Sequence, residues 1–486
     1  MRWRPSRILQ VFVALIVLLG FLALFSSDDD IVIPQGGKVM KNIKSFIGTD
    51  ERKKWDPFGL GLSSDTSMSE NNIFKADQNH GAAPVRTCQP ILNFAFVKTH
   101  KAGSTTLISI LQRFGYTHNL LFALPKRGDV FLGWPYALQP GKHVLPLQDG
   151  TMKFNVLVNH AVFNKNVVSS IIPDNPKFIG VVRYPLTHFK SVMNYFQKML
   201  IPPDEKDMYS MMERIVRFAD NPNYYDGYND KMKNSTDPLF HVRSVTRNFQ
   251  SADFGLKSAD MADPEKVKLF MDDLHETFPF LLVMEYMHES LLLLKRRWCW
   301  ELADIMFLQK NVFKYQNKAD PIPTQTANKL LDWMSIDVQL YHWSNATLWK
   351  EIAKEENFEE ELSYYKSINN LVGAFCKADV FLLRQQGPDG KFKIPPLEIA
   401  ASKWMAPLTV ELEDCKDLMR FEMAFTRMLQ IAQRPDLFNE DYYYKGADGI
   451  LKFKEPMKPA TPVRSKFSAV KGLKNMPPAN VPPRKN

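Results

Sequence analysis

An apolar run, Ile91-Leu92-Asn93-Phe94-Ala95-Phe96-Val97, leads directly into Lys98-Thr99-His100-Lys101-Ala102-Gly103-Ser104-Thr105-Thr106. A buried strand, a tight cationic loop and a helix start in that order form the layout that cradles a phosphate at a helix N-terminus. The lysine precedes the glycine and no Gly-Lys-Ser/Thr follows, so the loop is not of the Walker form. This inversion points away from ATP or GTP hydrolysis and toward another phosphate-bearing donor.

The rest of the chain predicts an α/β architecture. Strand-like runs at 93–97, 155–158, 178–182 and 280–284 alternate with helical patterns at 105–114, 186–199 and 291–304. Apolar strands between amphipathic helices imply a central, mainly parallel sheet flanked by helices. A helix-rich portion is expected from Ala327 to Gln433, with Glu355, Glu356 and Glu359 to Glu361 forming a solvated helix face. No internal repeat is found.

Before this body, Ile8 to Phe25 is apolar apart from Gln10 and Gly20. As a helix it reaches about 27 Å, close to a bilayer's hydrocarbon thickness. Arg2, Arg4 and Arg7 precede it and Asp28 to Asp30 follow, which keeps the N-terminus cytosolic and sends the remainder to the lumen or exterior. A cleaved signal peptide is the alternative; the length and the lack of a clear small-x-small site favour an uncleaved anchor. The reading is a cytoplasmic tail at 1–7, an anchor at 8–25, a lumenal stem at 26–87, a catalytic domain at 88–440 and a disordered basic tail at 441–486.

That tail accounts for most of the net charge of +9, since residues 445–486 carry ten Lys/Arg against Asp448 and Glu455. No basic stripe with interleaved aromatics crosses the body, which argues against nucleic acid. Cys88, Cys299, Cys376 and Cys415 all follow the anchor, in an oxidising compartment, and their three complete pairings stay open. No CxxC pair and no metal-spaced histidines or carboxylates accompany the loop, so no metal is expected. Asn234 and Asn345 open glycosylation sequons.

A second signal is Phe178-Ile179-Gly180-Val181-Val182-Arg183-Tyr184-Pro185, followed by a helix carrying Ser191. Arg183 falls at a strand's carboxyl edge, where open α/β sheets bind ligands. Pro185 suits a first helical turn. An arginine fork with a hydroxyl on the next helix makes a second phosphate clamp.

Together the segments resemble the sulfotransferases that use 3′-phosphoadenosine 5′-phosphosulfate. In that superfamily a lysine-x-glycine-Ser/Thr-Thr loop holds the 5′-phosphosulfate; a strand-end arginine with a serine eight residues on holds the 3′-phosphate. Lys101-Ala102-Gly103-Ser104-Thr105 fits the first pattern, and Arg183 with Ser191 fits the second. A narrower resemblance, from Cys88 to Gln433, is to the galactose-3-O-sulfotransferase family. It rests on Phe96 to Lys101, Arg113-Phe114-Gly115, His118-Asn119-Leu120, Phe122 to Pro125, Asn159-His160 with Phe163-Asn164, Arg247-Asn248 with Asp253-Phe254-Gly255, Glu285-Tyr286, Glu289 to Leu291, and Arg297 to Leu302. Departures are Tyr184, where the family usually carries aspartate, the Trp134-Pro135-Tyr136 region and the long tail.

The resemblance implies a P-loop-like sulfotransferase fold in a single-pass type II Golgi membrane enzyme. Such an enzyme sulfates the 3-hydroxyl of galactose on a galactose-terminated glycolipid, such as galactosylceramide, or on protein glycans. Another glycan acceptor, such as a glycosaminoglycan, and a catalytically silent glycan-binding protein are the alternatives. Lys101 is the expected cation at the bridging oxygen. Gly103 permits close approach, Thr99, Ser104, Thr105 and Thr106 frame the loop, and Lys98 adds charge at its mouth. The acceptor hydroxyl needs a base; the resemblance points to His160, with His100 second. Glu285 and Glu289 are candidates to orient the sugar. Lipid versus protein acceptor, the oligomeric state (a homodimer among those allowed) and the purpose of the tail stay open.

Overall fold

The computed structural model describes residues 88–126, 130–202, 205, 208–231, 244–308, 321–385 and 395–437. The anchor, stem and basic tail, together with Asn234, lie outside these residues. Two compact units are distinguished, residues 1–61 with 315–328 and residues 62–314 with 329–486; everything that follows concerns the second.

Its centre is a four-stranded parallel sheet built from β1 (Phe94–Val97), β2 (Val156–Leu157), β3 (Lys177–Val182) and β4 (Leu282–Val283), in the order β2-β1-β3-β4. β1 pairs with β2 on one edge and with β3 on the other, Val97 standing opposite Gly180. The chain thus leaves β1 toward one side of the sheet and returns on the other. That reversal opens a crevice at the carboxyl ends of β1 and β3, the position where open α/β sheets take ligands. Both motifs of the sequence emerge there.

Helices cover the strands, as the unbroken burial of β1 requires. α1 (Ser104–Thr117) follows the cationic loop, and α2 (Pro185–Tyr195) follows Arg183. α3 (Phe249–Asp253), α4 (Met287–Trp298), α5 (Ser335–Ile352), α6 (Phe358–Gln385), α7 (Leu412–Met419) and α8 (Glu422–Gln433) complete the elements used below. Phe94 packs on Phe114, Trp298 and Trp300, and the Phe114 and Trp300 rings stack at 3.6 Å. Fully burying each such ring is worth about 1.5–3 kcal/mol. Gly180 is needed for packing: a Cβ there would stand 2.6 Å from the Phe254 ring.

Several expectations are corrected. The helical pattern at 291–304 begins at Met287 and stops at Trp298, because Cys299 turns left-handed (φ 55°) and is bonded to Cys88. The pattern at 186–199 breaks at Phe196 into Pro185–Tyr195 and Gln197–Leu200. An unexpected antiparallel hairpin, β5 (Leu397–Ile399) with β6 (Leu408–Val410), interrupts the helical C-terminal portion. The acidic cluster is solvated only in part: Glu356, Glu359 and Glu360 are exposed, but Glu361 is buried against Lys295 and Arg296, and Glu355 pairs with Arg296 and Arg297. The second disulfide joins Cys376 on α6 to Cys415 on α7. Among the described residues no helix is long and apolar enough to cross a membrane.

Candidate active site

Gly103 caps α1 with φ 75°, a left-handed conformation that glycine adopts without strain. A Cβ at this position would stand 2.9 Å from Met284 Cγ. No side chain caps the helix, so the first-turn amides of Ser104, Thr105 and Thr106 point into the crevice with only Thr106 bonded back, to Gly103 O at 3.1 Å. An anion is the natural partner for such a terminus.

Lys101 is left-handed as well (φ 56°), and its Nζ lies 3.9 Å from the centre of the exposed Tyr195 ring. Desolvation lowers its pKa first; the positive charges of Arg183 and Lys98 lower it further. Arg183 comes to the same loop. Its guanidinium donates to Lys101 O at 3.1 Å and, through Nε, to Thr187 Oγ1 at 3.0 Å. Two neighbouring cations, the arginine lowering the lysine's pKa, beside an uncapped helix start, fit a polyanion bridging them. The residues present therefore suit a nucleotide bearing phosphate groups at both ends.

Thr187 and Ser191 follow Arg183 at four-residue steps and share one face of α2. Ser191 is half-buried on that face and makes none of the hydrogen bonds described. Thr187, not singled out from sequence, accepts from the guanidinium through its hydroxyl. Gln250 of α3 accepts from the Arg183 amide at 2.8 Å and donates to its carbonyl at 2.9 Å, clamping the backbone at the strand end.

Lys98 departs from expectation. Its ammonium is buried beneath the loop rather than placed at the mouth, 2.6 Å from Glu422 of α8. Thr99 is fully buried with its hydroxyl unpartnered. Glu285 accepts from the Tyr184 amide at 2.9 Å and Glu289 pairs with Lys366 at 2.7 Å, so both carboxylates already hold the protein together.

The two candidate bases meet. The His100 and His160 rings stack at 4.0 Å, in a column continued by Phe249 on one side and Phe131 on the other, with Trp134 alongside. Asp253 Oδ2 lies 2.8 Å from His100 Nδ1 and accepts from its backbone amide at 2.8 Å, while Asp253 Oδ1 accepts from Trp134 Nε1 at 3.1 Å. His160 is held differently: burial, then the nearby His100 and Lys98, drive its pKa well below the usual histidine value, and its Nδ1 has no partner. It is a neutral ring. His188 of α2, pushed by burial down to about 3, contacts His100 O through Nε2 at 2.9 Å.

α3 is itself locked in place. Asp337 of α5 accepts from the amides of Gln250 and Ser251 and from the Ser251 hydroxyl. Asn248 returns the bond, its Oδ1 accepting from the amides of Ile336 and Asp337. The start of α3 is thus held by a first-turn residue of α5, and the start of α5 by the residue that precedes α3. Asn345 lies within α5, its side-chain oxygen buried without a partner. No group of metal-ligating side chains occurs among the described residues.

Comparison with known proteins accords with this geometry. The profile of the Galactose-3-O-sulfotransferase family matches residues 65–391. Galactose-3-O-sulfotransferase 2 of Mus musculus is 27% identical over 296 residues, 60% of this chain and 71% of that protein. Galactosylceramide sulfotransferase of Homo sapiens is 30% identical over 336 residues, 66% of this chain and 73% of that protein. Galactose-3-O-sulfotransferase 3 of Homo sapiens is 25% identical over 287 residues, 56% of this chain and 60% of that protein. With strand, loop and arginine clamp assembled at one crevice and a profile spanning most of the folded body, the chain belongs to the galactose-3-O-sulfotransferase family.

Proposed function

We propose that this protein transfers a sulfuryl group from 3′-phosphoadenosine 5′-phosphosulfate to the 3-hydroxyl of a galactose on a glycolipid or glycoprotein glycan. The observation that carries the reading is the arrival of the Arg183 guanidinium at the carbonyl of Lys101, 3.1 Å away, which sets two anion-binding elements side by side. Lys101, with the Gly103 turn and the amides of Ser104 to Thr106, receives the phosphosulfate end. Arg183, Thr187 and Ser191 receive the 3′-phosphate.

The S–O bond to the 5′-phosphate breaks as the sugar oxygen bonds to sulfur, and adenosine 3′,5′-bisphosphate leaves. Negative charge grows on the departing phosphate, where a fixed ammonium at Lys101 stabilises it. The proton of the galactose hydroxyl passes to His100. With Nδ1–H turned toward Asp253, His100 Nε2 carries the free lone pair. His160, neutral and stacked against that ring, orients it. The anchor at 8–25 and a lumenal Golgi placement belong to the same proposal, supported by the charge asymmetry around the apolar run.

Sulfate transfer from labelled donor to a panel of lipid-linked and protein-linked galactosides tests the reading. Transfer to the 3-hydroxyl that disappears in Lys101→Ala is the expected result. A glycosaminoglycan acceptor used in preference to every galactoside would overturn the acceptor assignment.

A further inference from the structure

We infer that Glu422 is a positioning residue of the transfer site, acting through Lys98, so that the C-terminal helix α8 is a working part of the active site. The inference rests on the donor-binding reading above. The family match ends at residue 391, well before α8 begins at Glu422.

Lys98 is the first residue after β1 and the first of the loop that ends in Lys101 and Gly103. Its side chain is 3% exposed, that of Glu422 12%, and the two meet at 2.6 Å. A buried ammonium without its carboxylate is costly, because desolvation then has nothing opposing it. Glu422 lies in the first turn of α8, where the helix dipole favours a negative charge.

α8 is a rigid support for that carboxylate. Thr426 Oγ1 accepts from Gln112 of α1 at 2.9 Å and from Asn159, beside His160, at 3.2 Å. Gln430 donates to Pro125 O at 2.7 Å, and Gln433 bonds both the amide and the carbonyl of Phe122. The helix is thus fastened along its length to α1, to Asn159 and to the segment from Phe122 to Pro125.

The titratable groups facing Lys98 are Glu422 from α8, Asp253 from α3, Lys101 from its own loop and the neutral His160 from beyond β2. Burial lowers the Lys98 pKa, and Glu422 is the largest influence opposing that fall. Removing the carboxylate lowers it further, so the ammonium is lost at a lower pH. The loop then loses both a fixed cation and its anchor at the strand end.

The test uses the full-length protein with Glu422→Gln, Glu422→Asp and the double variant Lys98→Met/Glu422→Met, which deletes both charges at similar volume. Affinity for adenosine 3′,5′-bisphosphate is measured by calorimetry from pH 6 to 9, alongside sulfate transfer and thermal unfolding. In Glu422→Gln we expect turnover to fall roughly ten- to a hundredfold. The high-pH limb of bisphosphate affinity should move to lower pH, with Glu422→Asp restoring part of both. The double variant should fold and bind the bisphosphate weakly. An unshifted limb in Glu422→Gln, or wild-type turnover in the double variant, overturns the inference. Wild-type protein that binds the bisphosphate yet sulfates no galactoside would sink the acceptor assignment and leave this inference standing.

Discussion

Asp253 grips His100 twice through one oxygen, Oδ2 lying 2.8 Å from the ring Nδ1 and 2.8 Å from the backbone nitrogen. The carboxylate therefore fixes the tautomer and the position of the ring at once. Asp253→Asn should lower turnover by about a hundredfold or more while leaving bisphosphate affinity near wild type. His100→Ala should lose turnover to the same extent. His160→Phe keeps a stacked ring and should stay within about tenfold of wild type. A His160→Phe protein as inactive as His100→Ala would return the proton-accepting role to His160.

Under the proposed function, Lys101 and Arg183 contribute to different steps. Lys101→Ala should abolish measurable transfer without lowering the unfolding temperature, since its ammonium rests on an exposed ring rather than in the core. Arg183→Lys forfeits the forked contact with Thr187 and the Lys101 carbonyl. Bisphosphate affinity should drop by roughly ten- to a hundredfold in that variant, read by calorimetry.

His188 gives the fold a pH dependence of defined sign. Its folded pKa is about 3, below the usual 6.5, so the unfolded chain binds the extra proton between those values. Its contribution is present above pH 6.5 and is lost as pH falls toward 3. Unfolding free energy should decline by about 1.4 kcal/mol per pH unit from this group in that window. Denaturant titrations at pH 4.5, 5.5 and 7 should give a shallower slope for His188→Gln; an identical slope refutes the assignment.

The reciprocal caps at Asn248 and Asp337 predict coupled losses. Asn248→Ala and Asp337→Asn should each cost about 1–3 kcal/mol of stability by denaturant unfolding. Because the two residues bond to each other's helix starts, the double variant should cost less than the sum of the singles.

How much of this was legible in the sequence follows from the range of the interactions involved. The two segments proposed to bind phosphate were readable because strand, turn and helix start are contiguous in each, and parallel pairing then brings them together. Asp253 and Asn248 lay within quoted family motifs, but their roles depend on α3 folding back onto His100 and α5. Thr187 carried a signal only through its four-residue step from Arg183. Glu422 gave none, since its partner is 324 residues away. Glu361 read as solvated because a glutamate cluster looks alike whether it faces water or Lys295 and Arg296.

The bond between Cys88 and Cys299 closes a loop of 211 residues at the point where the chain enters the domain. Ile91 adds two hydrogen bonds, its amide to Trp298 O and its carbonyl to Trp300 Nε1. Ahead of β1 the chain is therefore held at Cys88 by covalent sulfur and at Ile91 by the end of α4 and Trp300. β1 begins three residues beyond Ile91, so the strand that carries the lysine loop starts from a fixed point.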